Sequence, residues 1–115
     1  MEITSGIEGD LVRFHVTGSI DASTSPDVEQ AVNTAVAGGS RRLIFDMSGV
    51  KYISSAGLRA ILLAAKKAKA AGGGVAVFGL QSPVEQVFTV AGFGKIVPIV
   101  SSDAEARERL QAERG

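Results

Sequence analysis

The chain has no cysteine and no tryptophan, and only one histidine, one tyrosine and three prolines among its 115 residues. Without cysteine there can be no disulfide, no thiol nucleophile and no Cys-ligated zinc, which agrees with a reducing compartment. A single histidine also excludes a His-rich metal site. The 12 acidic residues cancel the 12 Lys and Arg, and that balance carries no signature of nucleic acid or of an anionic lipid surface. No apolar run approaches the roughly 18 residues that a membrane-spanning helix requires. The opening Met1-Glu2-Ile3-Thr4 lacks the basic-then-apolar layout of a secretory signal. These absences lead to the expectation of a cytoplasmic protein that neither enters a membrane nor touches nucleic acid directly. The length suits a single domain over 1–115.

What is present is an ordinary apolar fraction of 45% and 14 glycines, enough to build a core. The glycines fall between periodic segments, where chain reversals belong. A short strand near Glu2–Ser5, a turn at Glu8-Gly9-Asp10 and an alternating strand over Leu11–Thr17 form a hairpin, with Val12, Phe14 and Val16 on one face and Arg13 and His15 on the other. Gly18 to Ser25 reads as a polar connection. Thr24 or Ser25 can cap the helix that follows, with Pro26 at its first position and Val28, Ala31, Val32, Ala35 and Val36 at helical spacing. Leu43-Ile44-Phe45 is a strand buried on both faces. Asp46 to Tyr52 reads as a loop, and a second helix runs from about Ser54 to Ala71 with Leu58, Ile61, Leu62, Ala65 and Ala68 as its apolar stripe. Beyond it come a strand at Val75–Phe78, a helix opened by Ser82-Pro83 with Val84, Val87, Phe88 and Ala91 inward, and an edge strand at Ile96–Val100 containing Pro98. A last helix is capped by Ser102 and Glu105. The order is β-β-α-β-α-β-α-β-α. It predicts an α/β fold with a mixed, mostly parallel sheet of about five strands covered by about four helices.

The chemistry concentrates in Ile53-Ser54-Ser55-Ala56-Gly57-Leu58, where a helix begins near the carboxyl end of a buried strand. Ligands and partners meet open α/β sheets at such ends, and free backbone N–H groups and the positive end of the helix dipole lie there. Serine is a favoured N-cap, so capping accounts for one of the two serines. A phosphate on the other, Ser55, would add nearly two negative charges beside a docking partner. Serine hydrolysis is a poor alternative, because the only histidine, His15, lies on a strand beside Arg13 and no Gly-x-Ser-x-Gly elbow is present. Gly72-Gly73-Gly74 precedes a strand and lacks the Gly-Lys-Ser/Thr ending of a phosphate loop. No cofactor or metal is expected, and no catalytic residue. Leu63 projects away from the stripe, toward the side of Arg59 and Lys67, where it could anchor an interface.

Asp46-Met47-Ser48-Gly49-Val50 followed by Ile53-Ser54-Ser55-Ala56-Gly57-Leu58 resembles the signature of STAS domains, the anti-sigma factor antagonists. Thr17-Gly18-Ser19-Ile20-Asp21 is similar to the family's strand-end segment, and Ser82-Pro83-Val84-Glu85-Gln86-Val87-Phe88 with Gly92 to its third-helix segment. The resemblance implies a phosphorylation-gated binding module. Unphosphorylated, it would sequester an anti-sigma factor that is also a serine kinase. Phosphorylation of the serine matching Ser55, with Ser54 as rival acceptor, would release it, and a PP2C-like phosphatase would reset it. Asp21, Ser48, Ser54, Ser55, Gly57, Leu58, Arg59 and Leu63 would then face the partner. Ser54 and Ala56 depart from the family, which often has aspartate before and serine or threonine after the modified residue. The alternative is a constitutive STAS subunit of a transporter or of a larger signalling assembly.

Overall fold

The computed structural model describes the backbone of residues 1–114 and the side chains of residues 1–111. The chain opens on a hairpin, with β1 (Glu2–Glu8) antiparallel to β2 (Leu11–Ile20). Gly9 turns it at φ 59°, a left-handed conformation that glycine adopts without a Cβ clash. There follow α1 (Ser25–Ala37), β3 (Arg42–Ile53), α2 (Ser55–Ala70), β4 (Gly74–Phe78), α3 (Ser82–Val90), a 3-10 turn at Phe93–Lys95, β5 (Ile99–Val100) and α4 (Asp103–Arg114). The sheet order is β1-β2-β3-β4-β5, and every pair after the hairpin is parallel. The expected mixed, mostly parallel α/β sheet is therefore present.

Strand order and handedness together place the helices. Right-handed crossovers that always step in one direction deposit their helices on one face, so α1, α2 and α3 share a side. There Val12, Phe14, Phe45, Met47 and Val77 pack against Val28, Val32, Ile61, Ala64, Val84 and Phe88. Phe14 and Phe45 meet with ring centroids 5.0 Å apart, within the favourable range for aromatic pairs. α4 follows the last strand and turns back under the other face, where Ala106 and Leu110 cover Leu11, Ile44 and Ala76. Leu43, Ile44 and Phe45 are accordingly all fully buried.

α4 is also tied by charge. Arg13 donates from Nε and Nη2 to the two carboxylate oxygens of Asp103 at 2.7 and 2.9 Å. Arg107 bridges Asp103 and Glu8. The Asp103 carboxyl lies below its ordinary range, chiefly through the Arg13 hydrogen bond, against an opposing burial effect and with Arg107 helping. Because the folded pKa is lowered, this contribution is complete above about pH 4 and is lost as acid titrates the group through its depressed value. The pair is about one-third exposed, so its worth is small. Asp103→Asn should cost at most about 1 kcal/mol at pH 7 and essentially nothing once the native carboxylate is protonated. Urea titrations at neutral and strongly acid pH check this; an equal loss at both would assign the effect to packing.

Several boundaries depart from the sequence expectation. Asp46 to Tyr52 is not a loop: β3 continues to Ile53, beside a β2 that reaches Ile20 instead of stopping at Thr17. Register shifts between His15 and Thr17 and between Gly18 and Ser19 break the period-2 alternation that announces a strand. β1 extends to Glu8, whereas β5 shrinks to Ile99–Val100 because Phe93–Lys95 coils as a 3-10 turn. Ala91 lies exposed beyond the end of α3. Thr24 occupies the α1 N-cap position, but its side chain accepts no capping bond from the helix; its hydroxyl turns back to the Ser19 carbonyl. Ser102 does cap α4, accepting from the Glu105 amide at 3.1 Å, while the Glu105 carboxylate accepts from Ser101.

Candidate functional site: the start of the second helix

The parallel pairing of Ile20 with Ile53 makes β2 and β3 end side by side, and the chain leaves them as Asp21 and Ser54. The Ser54 amide donates to the Ile20 carbonyl at 2.9 Å. The first turn of α2 then settles on that carbonyl, which is possible only because residue 57 is glycine. A Cβ there would sit 2.6 Å from the Ile20 oxygen and 2.7 Å from Ile53 Cγ1. Ser54 is the N-cap, extended at φ −95°, ψ 176°, and its Oγ accepts from the Gly57 amide at 3.3 Å.

With Ser54 spent on the cap, Ser55 stands first in the helix, exposed, its hydroxyl making no hydrogen bond among the described residues. It borders a groove of about 440 Å³ between α2 and α3, walled by Leu58, Pro83, Val87 and Val90. Val90 is 89% exposed, an unusual state for a large aliphatic group beside other apolar side chains. Toward the carboxyl end of α2 a second trough is lined by Leu62, Ile96, Lys66, Lys69 and Lys95. Among the described residues no carboxylate lines either groove.

Asp21 lines neither groove but follows Ile20, whose carbonyl holds the Ser54 amide, so it stands near the start of α2. Its Oδ1 accepts from the Ser23 amide and hydroxyl and from the Thr24 amide. The Ser23 hydroxyl contributes most to holding this carboxyl below its usual range, against a smaller opposing effect of burial. Oδ2 makes no hydrogen bond among the described residues. An asparagine at 21 would keep the turn while removing the charge.

Asp21, Ser54, Ser55, Gly57, Leu58 and Arg59 thus share the start of α2. Two residues expected with them do not. Ser48 lies on a strand, on the face opposite α2, where its hydroxyl donates to Asp46 at 2.7 Å and Gln81 donates to its carbonyl at 2.8 Å. His15 shares that carboxylate through Nδ1 at 2.9 Å. Burial pushes the Asp46 carboxyl up, but the bonds from Ser48 and His15 outweigh it and the net shift is downward. Ser48 and His15 both point to Asp46 rather than to each other, so a serine activated by histidine does not form. Leu63 is not an exposed anchor but half-buried in a crevice of about 200 Å³ between α1 and α2, with Val32 and Asn33; the Lys67 ammonium donates to Asn33 across it. α2 buries Gly57, Ala60, Ile61, Ala64 and Ala68, leaving Leu58, Leu62 and Ala65 of the expected stripe only partly covered. The inward face is set by small residues that allow close approach, and this rotates the leucines toward the two flanking grooves.

Sequence reasoning missed the α3 wall and Tyr52, which is 54% exposed two positions before the cap. The signal for the wall was available: Val84 and Phe88 define the buried face of α3 at i, i+4, so Val87 and Ala91 must fall beside it.

Residues 1–106 match the family model for the STAS domain. The chain belongs to the STAS domain family. Among curated relatives, BtrV of Bordetella bronchiseptica, named as an anti-sigma factor antagonist, is 33% identical over 84% of this chain and 82% of that protein. The anti-sigma-B factor antagonist of Listeria monocytogenes is 28% identical over 84% of each. Among solved structures, the unphosphorylated form of the anti-sigma factor antagonist SpoIIAA superposes with a TM-score of 0.82, covering 96% of this chain and 97% of that one at 17% identity. That likeness speaks for the fold. No helix among the described residues of this STAS chain is long and apolar enough to cross a membrane.

Proposed function

We propose that this STAS domain is an anti-sigma factor antagonist whose binding is gated by phosphorylation of Ser55. Its partner is an anti-sigma factor that also acts as the serine kinase, and a PP2C-type phosphatase restores the binding form. The cytoplasm is where such an exchange would run. The observation that carries this is the division of labour between adjacent serines: Ser54 closes the helix while Ser55 offers an unbonded hydroxyl at the edge of an apolar groove. A protein docked across the groove, the Asp21 turn and α2 would cover that hydroxyl. A phosphate there would have to be desolvated near Asp21, which is already anionic, and taking a dianion out of water is strongly unfavourable. This domain contributes the acceptor and the surface; the ATP chemistry resides in the partner.

The test is phosphorylation by the cognate kinase followed by intact-mass and peptide mass spectrometry. One phosphate is expected on the wild type and on Ser54→Ala, and none on Ser55→Ala. Ser54→Ala should also lower stability by about 1 kcal/mol through loss of the cap. Stoichiometric modification of Ser55→Ala would assign the switch to another residue.

A further inference from the structure

Arg59 lies four residues beyond Ser55 on α2. Residues at that spacing are neighbours on one helix face. Helical side chains also lean toward the N-terminus, so an arginine covers the surface over the preceding turn. Both residues are exposed. Arg13, Arg41, Arg42 and Arg107 each hold a carboxylate. Arg59, like Arg109 on α4, holds none: it has no ion pair and no hydrogen bond among the described residues. α2 supplies no acid either, since Ser55–Ala70 contains no Asp or Glu. A free guanidinium therefore stands one turn from the exposed hydroxyl, with no anion of its own helix to occupy it.

We propose that Arg59 is the intramolecular receptor for a phosphate on Ser55. In the unmodified protein the guanidinium is available to a docked partner. Once Ser55 carries phosphate, Arg59 turns onto it, in the favourable order with the anion N-terminal to the cation, through paired N–H donors whose fork fits phosphate oxygens. Modification then acts twice in the same direction, adding anionic charge at the rim and withdrawing a cation from the partner. The pair also keeps the modified side chain along its own helix instead of loose in the groove.

This rests on Ser55 being the modified residue, and the experiment separates the two ideas by bypassing the kinase. Phosphoserine is encoded at position 55 during synthesis, in the wild-type background and with Arg59→Gln, and the phosphate is titrated by phosphorus NMR at low ionic strength. Capture predicts a second phosphate pKa lower by about 0.2–0.4 of a unit when Arg59 is present, from the strength of such helical pairs, with the difference shrinking as salt rises. Arg59 is exposed, so unmodified Arg59→Gln should keep the wild-type melting temperature, and a matched fold makes the titrations comparable. Superimposable titration curves would overturn the role of Arg59 while leaving the phosphorylation of Ser55 standing. A kinase that ignores Ser55 would do the reverse.

Discussion

Ser55→Asp is expected to weaken binding to the anti-sigma factor by at least about 2 kcal/mol, roughly thirtyfold, from the typical cost of an uncompensated charge at a covered interface. Ser55→Ala should bind like the wild type. The asymmetry follows from where the side chain sits. Residue 55 is the first of α2 and borders an apolar groove, so a docked protein would strip water from whatever it carries. A methyl group tolerates that. A carboxylate does not, and Asp21, next to the Ile20 carbonyl that holds the Ser54 amide, already carries a charge fixed by three hydrogen bonds. In the free protein, by contrast, an anion in the first helical turn is favoured by the helix dipole, by about 0.3–1 kcal/mol. That gain belongs to the helix in both states, so it keeps the substituted domain folded while the loss of affinity comes from desolvating the charge. Calorimetric titration of both variants against the partner decides the matter, with thermal melts to show that neither has lost its fold. Equal affinities would remove charge at residue 55 from the mechanism.

How much of this was legible beforehand depends on how local each signal is. Leu43-Ile44-Phe45 and Val75–Phe78 announce doubly buried strands because nearly every position must be apolar when helices cover both faces. The second half of β3 is different. Ser48, Lys51 and Tyr52 are exposed, and the shifted register against β2 leaves Met47, Val50 and Ile53 spaced by three instead of two. The capping chemistry of Ser54 and the place of Ser55 were visible because both depend on a few neighbouring residues. The groove beside them was not, because it forms between Leu58 and the Pro83–Val90 segment, which are distant in the chain. The depth of Leu58 and Leu62 is misjudged for a related reason, and with it that of Leu63, which lies beside Lys67 as expected but is half-buried. Hydrophobicity points to leucines as the inward face, but a helix pressed close to a sheet turns its glycine and alanines inward, and these carry little hydropathy signal.

The close approach at Gly57 yields the other large effect. Gly57→Ala would ordinarily strengthen a helix by up to about 1 kcal/mol. Here the added Cβ would lie 2.6 Å from the Ile20 carbonyl oxygen and 2.7 Å from Ile53 Cγ1. The first obstacle is backbone, fixed by its pairing in the sheet, so the helix must move. Overpacking of this kind costs about 1–3 kcal/mol or more, and the net loss expected is about 2 kcal/mol, or close to 10 °C in melting temperature for a chain of this size. Gly6→Ala, where nothing lies within 4 Å of the added atom, is the matched control and should stay within about 0.5 kcal/mol. The consequence for binding should exceed the consequence for stability. Lifting the first turn of α2 breaks the bond from the Ser54 amide to Ile20, and that bond holds Ser55 and Asp21 near each other. Hydrogen exchange at the Ser54 amide should therefore accelerate in Gly57→Ala, and partner affinity should fall at temperatures where the domain is still folded. Wild-type exchange and affinity in a stable Gly57→Ala protein would mean that the contact between α2 and the end of β2 is not what aligns the site.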